Sequence, residues 1–174
     1  MMKNFFTIKA IASYAVLVSA NAAFSQHSHS VGHDDVAIGK PGVAAKVSRT
    51  IKVDMTDAMR FSASNIAVRQ GETIRFVVSN SGKVKHEMVL GTEKELKEHY
   101  EVMKKNPEME HADANMVTVA PGKTGEIIWQ FTKAGKVDFA CLQPGHYDAG
   151  MKGFVTVAGS KTQTKSDGHG NHKH

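Results

Sequence analysis

One short stretch of the chain carries three side chains that together could bind a soft metal ion. Cys141, His146 and Met151 follow one another at intervals of five residues, with Pro144 and Gly145 between the first two. Proline and glycine favour a turn. We therefore expect a loop between two strands that folds back and points a thiolate, an imidazole and a thioether at one centre.

The donor atoms indicate which metal such a centre would hold. Thiolate and thioether sulfur with imidazole nitrogen suit copper, and two histidines, a cysteine and a weak axial methionine make up an electron-transfer copper site. Zinc also accepts cysteine and histidine, but its structural sites are closed by four firm ligands and methionine is not among them. The second histidine must come from elsewhere. His86, which opens a strand-like run after the turn residues 80–82, is the best placed.

The first 25 residues have the features of a secretory signal peptide. Lys3 and Lys9 precede or flank an apolar run over residues 10–18, and Ala20-Asn21-Ala22 offers small residues for cleavage. The apolar run is shorter than the roughly 20 residues of a spanning helix, so we expect no stable membrane insertion. The prediction is export to the periplasm with the signal removed.

Cys141 is the only cysteine of the chain. In an oxidising compartment cysteines are usually paired, and a single one cannot form an internal disulfide. It is either an inert buried side chain or a residue kept for chemistry, and the histidine and methionine nearby favour chemistry.

Between residues 43 and 158 the sequence predicts one all-β domain. Short runs rich in β-branched and aromatic residues alternate with turn residues, which is typical of an antiparallel sandwich. We expect a Greek-key β-sandwich of seven or eight strands. The predicted runs cover residues 47–53, 66–68, 73–78, 86–90, 116–119, 127–131, 137–142 and 154–157.

A helical insertion at residues 91–115 interrupts this pattern. Thr92 and Glu95 have the spacing of a capping box, good helix formers follow over residues 93–105, and Asn106-Pro107 ends the run. Insertions of this size in a compact domain are often functional.

The loop from Cys141 to Met151 resembles the C-terminal copper loop of the cupredoxins, the family of plastocyanin, pseudoazurin and azurin. His86 lies where their isolated upstream histidine falls, and the resemblance covers about residues 43–158. It implies one type 1 copper, with His86, Cys141 and His146 as equatorial ligands and Met151 as the axial one. It also implies a binding protein and not an enzyme, with His146 as the port for an electron.

Two departures from the family pattern affect this expectation. The interval from Cys141 to His146 is longer than in plastocyanin, which leaves the colour and the reduction potential open. In many family members an asparagine follows the upstream histidine and links the two ligand loops, whereas here Glu87 stands in that position. The sequence therefore does not predict that link.

Further histidines and methionines could bind additional copper weakly. The insertion and its flanks add thioethers and imidazoles, and the segments 26–42 and 159–174 read as disordered, His-rich tails. An alternative is that the methionines fill the core and the histidines are solvated. The candidate auxiliary ligands are Met88, His99, Met103, Met109, His111 and Met116 near the helix, and His27, His29, His33, His169, His172 and His174 in the tails.

These additions resemble those of periplasmic cupredoxins associated with bacterial copper tolerance, which is the function we expect. The alternative is a dedicated electron shuttle for a respiratory enzyme. The partner would be a periplasmic redox or copper-handling protein, and we expect a monomer. The formal charge of +5 comes from scattered Lys and Arg with no basic block, so no nucleic-acid partner is expected.

Overall fold

The computed structural model describes residues 35–109 and 111–160, which form two packed β-sheets with a helix on the outside. The helices are α1 (Asp35–Ile38) and α2 (Glu93–Lys105), and Ala44–Lys46 form a short 3-10 turn. The strands are β1 (Lys40–Pro41), β2 (Arg49–Thr56), β3 (Arg60–Phe61), β4 (Asn65–Arg69), β5 (Thr73–Asn80), β6 (His86–Gly91), β7 (Met116–Val119), β8 (Thr124–Gln130), β9 (Gly135–Ala140) and β10 (Lys152–Ala158).

Each sheet has five strands. Their order is β1-β8-β5-β2-β3 in the first sheet and β4-β10-β9-β6-β7 in the second. The strands β2 and β5, and likewise β4 and β10, are parallel, while the other neighbours are antiparallel. The all-β sandwich with one helical insertion that the sequence predicts is confirmed.

The main core lies between the sheets and follows from the alternation of side chains along the strands. On β5, Ile74, Phe76 and Val78 are fully buried, and the residues between them are only partly covered. On β8 the same alternation places Trp129 in the core. Period-two burial of this kind fixes the register of each strand, because a slip by one residue would expose the apolar face.

The strand β6 is an exception, because all six of its residues are buried. One face looks into the sandwich, and the helix α2 covers the other. Leu96, Tyr100 and Met103 of α2 pack in a second apolar cluster that includes Val89 of β6 and Leu142. The helix thus covers the part of the second sheet that carries the candidate metal ligands.

The boundaries of α2 agree with the sequence prediction. The Thr92 hydroxyl accepts from the Glu95 backbone N–H, and the Glu95 side chain accepts from the Thr92 backbone N–H, which completes the capping box. None of the helices among residues 35–109 and 111–160 is long and apolar enough to cross a membrane.

The fold begins earlier than the predicted boundary at residue 43. Lys40 and Pro41 pair with Gln130 and Trp129 of β8, and Ile38 is 2% exposed. The Trp129 Nε1–H donates to the Ile38 carbonyl at 2.8 Å. Residues 35–42 are therefore part of the sandwich and not of a tail. The predicted signal peptide and the rest of both predicted tails, residues 26–34 and 161–174, lie outside the described residues.

Candidate metal centre

The predicted copper ligands meet at one end of the second sheet because of how its strands run. His86 is the first residue of β6, Cys141 follows the last residue of β9, and Met151 precedes the first residue of β10. The strand β9 is antiparallel to both β6 and β10, so these ends lie side by side. The topology brings together residues that are far apart in the chain.

Three of the four side chains form a tight cluster. Single ligand atoms of His86, Cys141 and His146 all lie within 4.8 Å of one another. The Cys141 Sγ is 3.2 Å from Nδ1 of His146 and 4.0 Å from Nδ1 of His86, and the two Nδ1 atoms are 3.2 Å apart. His86 and Cys141 are completely buried.

Met151 is tied to this cluster through its backbone. Its carbonyl accepts from the Cys141 N–H at 3.0 Å, and its own N–H donates to the His146 carbonyl at 3.1 Å. Its side chain is completely buried in the same core cluster as Cys141. The expected axial position of its sulfur stays a prediction.

The ligand loop is a series of tight turns. The His146 N–H donates to the Gln143 carbonyl at 3.0 Å, and Gly145 between them has a φ of 85°. That conformation is costly for residues with a Cβ, so the glycine is required here. Gly150, just before Met151, has a φ of 88°, a conformation that likewise favours glycine.

Glu87 connects the two segments that carry the ligands, a link that the sequence did not predict. Its buried carboxylate accepts from the Leu142 N–H at 3.0 Å and from the Gln143 side-chain amide at 3.0 Å. Its backbone N–H donates to the Cys141 Sγ at 3.4 Å. The carboxylate thus links the histidine strand to the cysteine loop, as an asparagine side chain does in many members of the family that the loop resembles.

Asp57 supports His86, the candidate ligand that lies far from the loop in sequence. Its Oδ1 is 3.2 Å from Nε2 of His86, and its carboxylate accepts from the backbone N–H groups of Lys83 and Val84. These hydrogen bonds, first that from Lys83, hold the pKa of Asp57 below its ordinary value. A carboxylate on the far nitrogen fixes the ring so that Nδ1 faces the cluster.

Two side chains hold the ligand loop from outside. The Tyr100 hydroxyl on α2 donates to Asp148 at 2.8 Å and accepts from the Gly145 N–H at 3.0 Å. On the opposite side, Arg60 of the first sheet donates to the Ala149 carbonyl at 2.9 Å. Neither residue was expected from the sequence. Only the placement of Tyr100 on the apolar face of the helix could have suggested that it packs inward.

Burial sets the protonation of the cluster when no metal is bound. It raises the pKa of the Cys141 thiol to about 12, so the sulfur keeps its proton at neutral pH. It lowers the pKa of His146, which favours the neutral imidazole that a metal requires. Because the thiolate is the ligand, metal binding must release the thiol proton.

The donor set fits copper. Two imidazole nitrogens and one cysteine sulfur surround a single point in a buried environment, and Met151 lies beside them. Soft sulfur with imidazole in a trigonal set is the ligand combination of type 1 copper. We find no other cluster of at least three His, Cys, Asp or Glu ligands in the described part of the chain.

The other predicted metal ligands divide into three groups. Met88 is buried in the core between the sheets, among apolar side chains. Near α2 a different set lines one cavity, namely Met103, Met109, His111 and Met116. The His99 ring packs on that of His111, with centroids 4.6 Å apart. The tail histidines lie outside the described residues.

Fold and site together define a class of copper protein, and the sequence comparisons agree. Residues 47–158 match the family described as copper binding proteins of the plastocyanin/azurin family, and the chain belongs to that family. Its cofactor is copper, and His86, Cys141 and His146 form a candidate type 1 copper site.

Within this class the chain is similar to proteins named copper-resistant cuproprotein CopI. It is 51% identical to the one from Rubrivivax gelatinosus over 84% of this chain and 91% of that protein. It is 38% identical to the one from Pseudomonas aeruginosa over 84% of this chain and 94% of that protein. It is thus a copper-binding cupredoxin homologous to copper-resistance proteins.

The structure is also similar to that of dithionite-reduced auracyanin from the photosynthetic bacterium Roseiflexus castenholzii. The TM-score is 0.55 at 25% identity, with 64% of this chain and 98% of auracyanin covered.

Proposed function

We propose that this chain is an exported, periplasmic copper-binding protein that contributes to copper tolerance and can exchange electrons through a type 1 site. The observation that carries this proposal is the buried cluster of His86, Cys141 and His146. The names of the relatives support the link to copper resistance, and the signal-like N-terminus supports export.

In this proposal His86, Cys141, His146 and Met151 hold one copper ion, which supplies a one-electron redox couple when bound. Glu87 and Asp57 keep the donors in place whatever the charge of the metal, since both are anchored by backbone N–H groups. A ligand set that does not rearrange favours fast electron exchange.

His146 is the side chain through which electrons would enter or leave. It is the ligand that is only partly buried, and the residues before it, Pro144 and Gly145, are exposed. A redox or copper-handling protein in the periplasm would dock against this end of the sandwich. This exposure is also what a dedicated electron shuttle needs, and that function is the second candidate.

We propose a binding protein and not an enzyme. Copper oxidases and nitrite reductases use further copper sites with histidine pairs, and the sequence of residues 43–158 contains no His-x-His motif. Monomeric behaviour and the lack of a nucleic-acid partner are parts of the same proposal.

Growth under copper stress tests the proposal directly. A copper-sensitive bacterial strain without its own homologue would receive the full chain, a Cys141→Ser variant, or a chain that ends at Ser160. We expect the full chain to restore growth and Cys141→Ser to fail, because the thiolate is lost. If the tail histidines bind copper, the shortened chain should protect less well.

Equal amounts of exported protein, measured by immunoblot, are the control for this experiment. Full protection by Cys141→Ser would contradict a role of the type 1 site in tolerance. If neither the full chain nor the variants protect, while the purified chain passes electrons rapidly to a redox partner, the shuttle function would be favoured.

A further inference from the structure

We propose a second metal site, in the cavity beside α2, that binds copper(I) with the thioethers of Met103, Met109 and Met116 and the imidazole of His111. The site goes beyond the proposed function, which rests on the type 1 cluster alone. Its ligands differ from those of the first site, so each site can fail its test while the other stands.

The cavity has a volume of about 290 Å³, and all four residues line it. They come from different parts of the fold: Met103 from the last turn of α2, Met109 and His111 from the segment after it, and Met116 from the start of β7. Three methionines and one histidine around one space supply the kinds of donor that a soft ion prefers.

The chemistry of these donors selects the oxidation state. Thioether sulfur is soft and uncharged, and such ligands favour copper(I) over harder divalent ions. Lys85 and Glu87, which also line the cavity, carry opposite charges. A monovalent cation is therefore the better match to this set of donors.

His111 gives the most specific support. Both of its ring nitrogens are shielded from solvent, and neither has a hydrogen-bond partner among the described residues. Buried polar atoms nearly always have a partner, so an orphaned imidazole in a cavity calls for a bound ion or water. The ring is held in place by its contact with His99, whose centroid is 4.6 Å away.

Core packing alone explains only half of this set. Met103 and Met116 are 2% and 8% exposed, and they also contribute to the apolar cluster under α2, where methionine is a common filler. Met109 is 43% exposed and gains little by packing. Met109 and His111 are the members of the set that a metal site explains and a packing role does not.

This cavity is adjacent to the type 1 cluster, and Glu87 contacts both. Glu87 and Gln143 line it, and their side chains hydrogen-bond to each other at 3.0 Å. The backbone N–H of Glu87 donates to the Cys141 Sγ. The two sites therefore share a wall made of residues that support the copper loop.

The test is a titration of the full chain with silver(I), a redox-inactive stand-in for copper(I), followed by NMR of ¹³C-labelled methionine methyl groups. Nine methionines are present, and neither His-rich segment, 26–42 or 159–174, contains one, so binding to the tails is invisible in this measurement. We expect the methyl signals of Met103, Met109 and Met116 to shift. Those of Met55 and Met88, inside the sandwich, should stay in place.

Met151 reports separately on the type 1 site in the same spectra. If its signal shifts while the three cavity methyl groups do not move at saturating silver(I), the second site is refuted and the type 1 site is not. If the cavity signals shift and that of Met151 does not, the second site is supported and the type 1 site is in question.

Two substitutions sharpen this test. Met109→Leu and His111→Gln should each weaken silver(I) binding in the cavity at least about tenfold, since each removes a ligand. Met88→Leu is the matched control and should not change it. Unchanged signals of the sandwich methionines show that the variants are folded. Affinity equal to that of the unmodified chain in both cavity variants would overturn the proposal.

Discussion

At the scale of single residues, Glu87 is the most informative side chain of the site. Its carboxylate accepts from the Leu142 N–H and from the Gln143 side-chain amide at once, and so makes a link that was not predicted from the sequence. Both partners are donors, so an acceptor-only side chain fits better here than an amide, which would turn an NH₂ group towards one of them.

Replacing Glu87 by Ala or Gln should therefore loosen the copper loop. Loss of a group that orients metal ligands typically lowers metal affinity by about 10–100-fold, and we expect a fall of this size for Glu87→Ala. Glu87→Gln, which keeps one acceptor oxygen, should fall less. Competition with a copper chelator measures the change.

Thr118→Val is the matched control, because the Thr118 hydroxyl makes only a long contact of 3.4 Å with Glu87. It should bind copper nearly as well as the unmodified chain. Copper affinity in Glu87→Ala equal to that in Thr118→Val would mean that the carboxylate does not position the ligands.

The candidate cluster was largely predictable from the sequence because its donor atoms and their loop are local features. Cys141, His146 and Met151 share one turn-containing segment, and softness then selects the metal. Asp57 was not predictable. It lies 29 residues before His86, and no local pattern marks a carboxylate that only the folded sandwich brings to the imidazole.

Among the secondary-structure elements, α2 supports the copper loop from outside. Its apolar face covers β6, and Tyr100 on that face reaches across to Asp148 and Gly145. The Tyr100 ring also stacks on that of Tyr147, with centroids 5.1 Å apart. The insertion therefore holds both sides of His146.

Tyr100→Phe should keep the stacking and remove both hydrogen bonds. We expect a loss of about 1 kcal/mol in the free energy of unfolding, which is typical of a hydrogen bond that is partly open to water. Urea denaturation of the metal-free chain measures it. Tyr147→Phe is the control, because its hydroxyl makes no hydrogen bond within the described residues. An equal effect of the two substitutions would show that α2 supports the loop by packing alone.

The capping box made α2 predictable to the residue, since its signal lies in four consecutive positions. The elements at the start of the fold were missed for the opposite reason. The strand β1 has two residues, and it exists because β8 pairs with it and because Trp129 donates to the Ile38 carbonyl. Such contacts are tertiary and leave no periodicity in the sequence.

At the scale of the whole molecule, the sandwich brings together ligands that the chain keeps far apart. The β-branched run of β5 and the alternation along β8 predicted a sandwich, but not the parallel pairing of β2 with β5 or of β4 with β10. The strand order nevertheless decides the site, because it puts the start of β6 next to the end of β9. If the bound copper exchanges electrons as we propose, we expect this framework to keep the ligand set fixed when the metal changes charge.

Whether the chain holds copper through Cys141 is best measured by the visible absorption spectrum of the purified chain loaded with copper(II), compared with that of Cys141→Ser. We expect an intense thiolate-to-copper band in the unmodified chain. It should be absent in the variant, whose circular dichroism should still show the β-sandwich. A colourless unmodified chain, or an unchanged band in Cys141→Ser, would contradict a copper site built on Cys141.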